Sequence, residues 1–408
     1  MPEAVIVSTA RTPIGRANKG SLTKVRPDDL AATIIRAALD KVPALDGSLV
    51  EDIILGTAQP AGMQGYNIAR VVSELAGMGH VPGVTVNRYC SSSLQSIRMA
   101  AHAIKAGEGD VFVAAGVETV SQFIFGMSDG MANTHNPLMA AAEARTAERS
   151  VGGAPSWTPF DGGISDYYLG MGQTAENVAQ IENVSREEQD EFAAQSQQRA
   201  VAAQERGFFE REITPIHTVD ADGNPVVISK DDGPRAGTTK EKLAELKPAF
   251  RPDGTVTAGN ACPLNDGAAA VIVMSDTKAR ELGITPIARV VSSAVSALNP
   301  EIMGLGPVDA CRMALARAGM TIDDIDLVEI NEAFAAQAVP SAKQLGISWD
   351  KLNVNGGAIA LGHPFGMTGA RIMATLLNGL EDTGGTFGLE SMCIGGGQGM
   401  AMVIERLA

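Results

Sequence analysis

Residues 84–104 read VTVNRYCSSSLQSIRMAAHAI, and residues 352–377 read LNVNGGAIALGHPFGMTGARIMATLL. Each runs from an apolar strand through a turn into a segment with apolar residues at helical spacing. Both strands end in Val-Asn, as Val86-Asn87 and Val354-Asn355. Upstream of each lies a second matching pair, VEDIILGTAQPAG (50–62) and IDLVEINEAFAAQ (325–337), in which an acidic-flanked apolar strand leads into small residues. Strands alternating with helices predict α/β units with parallel pairing. Two motifs recurring in one order predict two similar halves packed together, although any two βα units share part of the pattern.

The stretch 122–261 departs from that plan. It holds a glycine-rich turn region, VGGAPSWTPFDGG (151–163), a long polar helix and a proline-bearing coil. Ser185 with Glu188 spells a capping box, which predicts a helix from there to about Arg206. NDGAAAVIVMS (265–275) then returns to an apolar strand that should rejoin the first half. The expected organisation is a first half over 1–121, an inserted loop domain over 122–261, a return strand and helix over 262–285, and a second half over 286–408.

A chain of 408 residues exceeds one ordinary core. Its composition, 45% hydrophobic and 19% charged, is that of a globular protein rather than a disordered one. A net charge of −15 disfavours nonspecific nucleic-acid binding but leaves room for an anionic ligand held by local arginines. No apolar run is long enough to suggest a membrane span. MPEAVIVSTARTPIG lacks the basic start and apolar core of a secretory signal, and the terminal ERLA is not a tripeptide address, so a cytoplasmic location is expected. Cys90, Cys262, Cys311 and Cys393 are widely spaced, and the five histidines form no ligand pair. Free thiols and no structural metal are the expectation.

Four positions carry candidate chemistry. Cys90 sits where a strand gives way to a helix, and unpaired N–H groups at a helix N-terminus favour a thiolate. Alone, a cysteine there also serves as a small packed residue. His363 lies in ALGHPFGMTGAR (360–371), whose Pro364 and flanking glycines build a rigid loop able to aim an imidazole, or to let it cap carbonyls. Cys393 ends an apolar strand before Gly395, Gly396 and Gly397, a turn whose free N–H groups suit an anion. Asn331 follows the strand DLVEI, where its amide could hold a water or carbonyl, or cap a helix.

Taken together, NRYCSSSLQ (87–95), MGQTAENVA (171–179), LKPAF (246–250), TAGNACPLNDGAAA (257–270), EINEAF (329–334), GHPFGMTGAR (362–371) and CIGGGQG (393–399) resemble the thiolase family in its own motif order. The resemblance covers essentially the whole chain. The serine-rich cysteine motif, DDGPRAGTT (231–239) and EIMGLGP (301–307) look closest to degradative 3-ketoacyl-CoA thiolases, which are acetyl-CoA C-acyltransferases. The resemblance implies a thiolase fold of two mixed α/β halves in layers, with an inserted loop domain covering coenzyme A as co-substrate. It also implies a homodimer or homotetramer, acyl-CoA substrates, and a place in fatty-acid β-oxidation. Carried over by motif, Cys90 is the nucleophile, His363 takes its proton, and Cys393 is acid or base at the substrate α-carbon. Asn331 with His363 would serve one oxyanion, and the N–H groups of Cys90 and Gly395 the other. Contacts to coenzyme A are implied for Arg235, Thr238, Cys262, Met171, Ala333 and Phe334.

Three positions depart from familiar members. Ser93 stands where many carry glycine, and Cys262 where many carry serine. Gly170 precedes Met171 where acetoacetyl-specific synthetic members carry histidine, which leaves room for longer acyl chains. The competing readings are a biosynthetic acetoacetyl-CoA thiolase, a decarboxylating ketoacyl synthase and a non-catalytic acyl-CoA or sterol carrier. The synthase uses a Cys-His-His set, whereas Asn331 and Cys393 occupy the later motifs here. The carrier reading needs a lost catalytic motif, and none is lost.

Overall fold

The computed structural model describes residues 2–160, 162–220 and 222–408. Its strands are β1 (Ala4–Arg11), β2 (Gly15–Arg16), β3 (Asp52–Gly56), β4 (Gly83–Val86), β5 (Val111–Thr119), β6 (Ile216–Val219), β7 (Pro225–Ile228), β8 (Asn265–Ser275), β9 (Ala288–Ala297), β10 (Leu327–Ile330), β11 (Phe387–Ile394) and β12 (Gln398–Arg406). All but β6 and β7 belong to one mixed sheet, ordered β10-β11-β12-β9-β1-β8-β5-β3-β4, with β2 beside β8.

The duplication read from the two strand–turn–helix motifs is visible in this order. In the first half β4, β3 and β5 are parallel, and β8 and β1 follow antiparallel. In the second half β10 and β11 are parallel, and β12 and β9 follow antiparallel. Leu352, just before Val354-Asn355, bridges Val328 of β10 in parallel, the place β4 takes beside β3. The halves join edge to edge through two residue pairs, Val5–Arg289 and Ile6–Ala288.

Alternation along the strands sorts side chains into layers. Ala4 and Ile6 face an inner core shared with helices 92–106 and 368–383, while Val5 and Val7 face an outer core with helix 27–40. On β12, Met400, Met402 and Ile404 face the same inner core, and Ala401 and Val403 face helices 306–318 and 335–345. The layers therefore run helix, sheet, helix pair, sheet, helix. β5 and β8 are buried along their whole length, which explains their unbroken apolar runs.

The inner helices cross closely. A β-carbon at Gly369 would stand 2.4 Å from the backbone nitrogen of Leu94, so no larger residue fits. Ser93 adds a hydrogen bond there, its Oγ accepting from the N–H of Ala370 at 2.9 Å. This is where the first departure from the family pattern is absorbed.

The stretch 122–261 is tied into the scaffold. Arg11 is fully buried and pairs with Glu212 at 2.7 Å and Asp231 at 2.8 Å. Phe208 and Phe209 join the inner core, and Phe192, Ala193 and Ala194 the outer core of the second half. Its long helix spans Arg186–Glu205 with the capping box at Ser185 formed.

Candidate active site

Cys90 is presented by a strained turn. Tyr89 has φ +43°, a region that costs a residue with a β-carbon about 1–3 kcal/mol. Flanking side chains hold it there. Asn87 Oδ1 accepts from the Tyr89 N–H at 2.8 Å, and Ser92 Oγ accepts from the Arg88 N–H at 3.0 Å and donates to the Tyr89 carbonyl at 2.7 Å. Cys90 lies in the single turn Tyr89–Ser91 that precedes helix Ser92–Ala106, and that helix closes at Gly107.

The Cys90 sulfur receives the N–H groups of Gly395 and of Cys90 itself, and it opens into a cavity of about 290 Å³. The expected favouring of thiolate by these N–H groups is present but outweighed. Burial pushes the thiol up to about 11, with the Glu118 charge acting in the same direction. At rest Cys90 is a thiol.

His363 is buried, and its backbone N–H donates to Asn265 Oδ1 at 3.0 Å. Its Nδ1 lies 2.5 Å from Thr368 Oγ1, and the Thr368 hydroxyl donates to the Pro364 carbonyl at 2.8 Å. A hydroxyl has one proton to give, so Thr368 accepts from His363. Nδ1 therefore carries the hydrogen and Nε2 is the bare nitrogen. Nε2 is buried with no partner. Burial, then Arg371, lower the imidazole to about 3, so it is neutral at physiological pH. The ring meets Phe365 edge-on, centroids 5.2 Å apart, and Phe365 lines the Cys90 cavity.

Asn331 follows β10 directly. Its N–H donates to Ser391 at 2.9 Å and its carbonyl accepts from Gln337 at 2.7 Å, but both amide atoms of its side chain are buried without partners. The next helix starts at Ala335, so Asn331 is not its cap. Neighbouring Glu332 is structural, accepting from Ser196 at 2.6 Å, Asn353 at 2.8 Å and the Ile359 N–H at 3.1 Å.

Cys393 is fully buried near the end of β11. It shares one apolar cluster with Ala333 and Phe334, against which Met171 and Cys262 pack. Burial pushes the Cys393 thiol well up, and the nearby Cys90 and Cys262 push it further. Cys262 is fixed by its N–H on the Ala333 carbonyl at 3.0 Å. The structure thus gathers Cys90, Cys393, Cys262, Met171, Ala333, Phe334 and Gly395. Arg235 and Thr238 are different. Arg235 is exposed, its N–H on Gln197 at 2.8 Å, and Thr238 Oγ1 donates to the Arg235 carbonyl at 3.0 Å. Neither lines the Cys90 cavity. A β-carbon at Gly170 would meet nothing within 4 Å, so the space of the missing histidine stays open.

Two supporting residues escaped the reading of the sequence. Thr368 lay inside the quoted loop motif, five residues after the histidine it orients. Glu118 carries no motif of its own. Its buried carboxylate accepts from Thr57 at 3.2 Å, the N–H groups of Ala58 at 2.8 Å, Gln59 at 3.3 Å and Gly366 at 2.8 Å, and Gln64 at 2.6 Å. It clamps the 362–366 loop onto the first half. Among the described residues no group of three or more His, Cys, Asp or Glu is placed to hold a metal ion, and no helix is long and apolar enough to cross a membrane.

Comparison with known proteins agrees in both halves. Residues 4–277 match the family described as "Thiolase, N-terminal domain" and residues 284–406 "Thiolase, C-terminal domain". A "3-ketoacyl-CoA thiolase" of Bacillus subtilis (strain 168) is 45% identical over 99% of this chain and 100% of its own. A "Beta-ketoadipyl-CoA thiolase" of Acinetobacter baylyi is 44% identical over the full length of both. The crystal structure of the Bacillus anthracis acetyl-CoA acetyltransferase superposes with a TM-score of 0.85 and 39% identity, covering 100% of this chain and 99% of that one. With two family halves matched end to end around one set of thiols, the chain belongs to the thiolase family.

Proposed function

We propose that this chain cleaves 3-ketoacyl-CoAs with coenzyme A, giving acetyl-CoA and a shortened acyl-CoA by a ping-pong route through acyl-Cys90. The observation that carries the reading is the pair of buried, unpartnered polar groups, His363 Nε2 and the Asn331 amide, with the Phe365 that meets the His363 ring lining the Cys90 cavity. Leaving such a group unpaired costs about 1–3 kcal/mol, which a ligand that pairs it recovers.

Cys90 attacks the 3-keto carbon while His363 Nε2 takes its proton. The new N–H and a water on Asn331 then face the thioester oxygen as the C2–C3 bond breaks. Cys393 delivers a proton to the α-carbon, and acetyl-CoA leaves. The acyl oxygen on Cys90 rests on the N–H groups of Cys90 and Gly395. Each such donor is commonly worth about 3 kcal/mol in the barrier. Coenzyme A then takes the acyl group, with Cys393 receiving the thiol proton and His363 returning its proton to the departing Cys90 sulfur. Run backwards, the same groups perform a Claisen condensation.

The open space at Gly170 favours the degradative direction over a synthetic enzyme confined to four carbons. We place the enzyme in the cytoplasm, in a β-oxidation-type pathway, as a homodimer or homotetramer. β4 ends the sheet, and such an edge strand supports self-association. The test compares kcat/KM for 3-ketoacyl-CoAs of increasing length. Cleavage extending beyond acetoacetyl-CoA is expected, and activity confined to it contradicts the degradative reading.

A further inference from the structure

The cavity at Cys90 has an unusual wall. The chain contains only four tyrosines, and three of them, Tyr89, Tyr167 and Tyr168, line it. An acyl group esterified to the Cys90 sulfur has to occupy the space that the sulfur faces, so this wall meets the acyl chain. Asp129 completes it, from the short turn Ser128–Gly130. Its position is set by Gln59, which donates from Nε2 to the carboxylate at 2.6 Å and accepts the Asp129 N–H at 3.0 Å.

No lysine or arginine is among the residues described as lining this cavity. Its one basic side chain, His135, is already engaged. It stacks on Tyr168 with centroids 4.0 Å apart, and Glu143 meets its Nδ1 at 2.9 Å. The phenol nearest the carboxylate offers no spare donor either. The Tyr89 hydroxyl shares hydrogen bonds with Asp129 and Tyr167, and burial with the Asp129 charge keeps it protonated. Its single proton goes to the carboxylate that is already there. An incoming anionic group thus meets a fixed negative charge that no lysine or arginine of the lining offsets.

We propose that Asp129 makes this enzyme selective for acyl chains without an ω-carboxylate, so that it handles neutral 3-ketoacyl-CoAs and discriminates against dicarboxylic ones. The proposal rests on the thiolase activity above and goes beyond it, since one relative of equal similarity is named for a dicarboxylic substrate. Two unit charges about 8 Å apart at an effective dielectric near 30 repel enough for a roughly tenfold difference in rate. An aromatic wall adds a preference for flat, uncharged chains.

The experiment measures kcat/KM for 3-ketohexanoyl-CoA and 3-ketoadipyl-CoA, which have the same chain length and differ in the terminal charge. The wild-type enzyme is expected to favour the neutral substrate by roughly tenfold. Asp129→Asn should bring the ratio toward one, and Asp129→Lys should carry it past one. The ratio is the readout, so a general loss of activity in a variant does not imitate the effect. The wild-type ratio also stands alone if a variant fails to fold. Equal or better use of 3-ketoadipyl-CoA by the wild type overturns the proposal while leaving the thiolase reading intact. So does a ratio that neither substitution moves. Failure to cleave either substrate overturns both.

Discussion

Burial holds Cys90 and His363 neutral, with the thiol near 11 and the imidazole near 3. A resting thiolate–imidazolium pair is therefore disfavoured. In the proposed mechanism the proton stays on sulfur until substrate is attacked, and crosses to Nε2 as the carbon–sulfur bond forms. Iodoacetamide labelling of Cys90 should accordingly climb with pH toward about 11, because a raised thiol pKa delays thiolate formation. His363→Ala should slow the labelling near neutral pH. A rate already level from neutral pH upward would instead reveal a preformed thiolate. Thr368→Val tests the tautomer. Losing that one neutral hydrogen bond is worth about 1 kcal/mol, or roughly fivefold in kcat/KM. An unchanged kcat/KM would mean that Thr368 does not orient the ring. At this scale the sequence singled out the candidate side chains, since each stands in a short motif. It was not informative about their ionisation, which depends on burial by segments hundreds of residues away.

At the scale of elements, local signals were legible wherever the chain itself supplies them. The capping box at Ser185 opens its helix as expected. The Glu118 clamp was not legible, because β5 offers a lone acid while its donors come from residues 57–59, Gln64 and Gly366. Glu118→Gln turns an acceptor of backbone N–H groups partly into a donor facing them. It should destabilise the protein by about 2–3 kcal/mol, read as a lower denaturation midpoint. It should also lower kcat, because the loop bearing His363 loses its tie to the first half. Normal kcat in a folded Glu118→Gln protein would show that the loop holds its place without the clamp.

At the scale of the molecule, the repeat of two motifs in one order foretold two halves with matching strand order. The seam between them was hidden. β1 pairs with β9 through two residue pairs only, and no local pattern marks an edge shared so briefly. The anchoring of the middle stretch by Arg11, with Glu212 and Asp231 some 200 positions later, was hidden for the same reason. Cys90 comes from the first half and His363, Asn331 and Cys393 from the second, so the proposed mechanism draws on both halves. The central claim is a division of labour between them, with Cys90 carrying the acyl group and Cys393 moving the α-proton. Intact-protein mass spectrometry at early times, with NMR of acetyl-CoA in deuterated water, tests it directly. Cys393→Ala should still acquire an acyl group at Cys90 from acyl-CoA yet fail to exchange the α-protons, and Cys90→Ala should acquire none. An acyl group mapped to Cys393 in the wild type, or normal exchange in Cys393→Ala, would contradict the account.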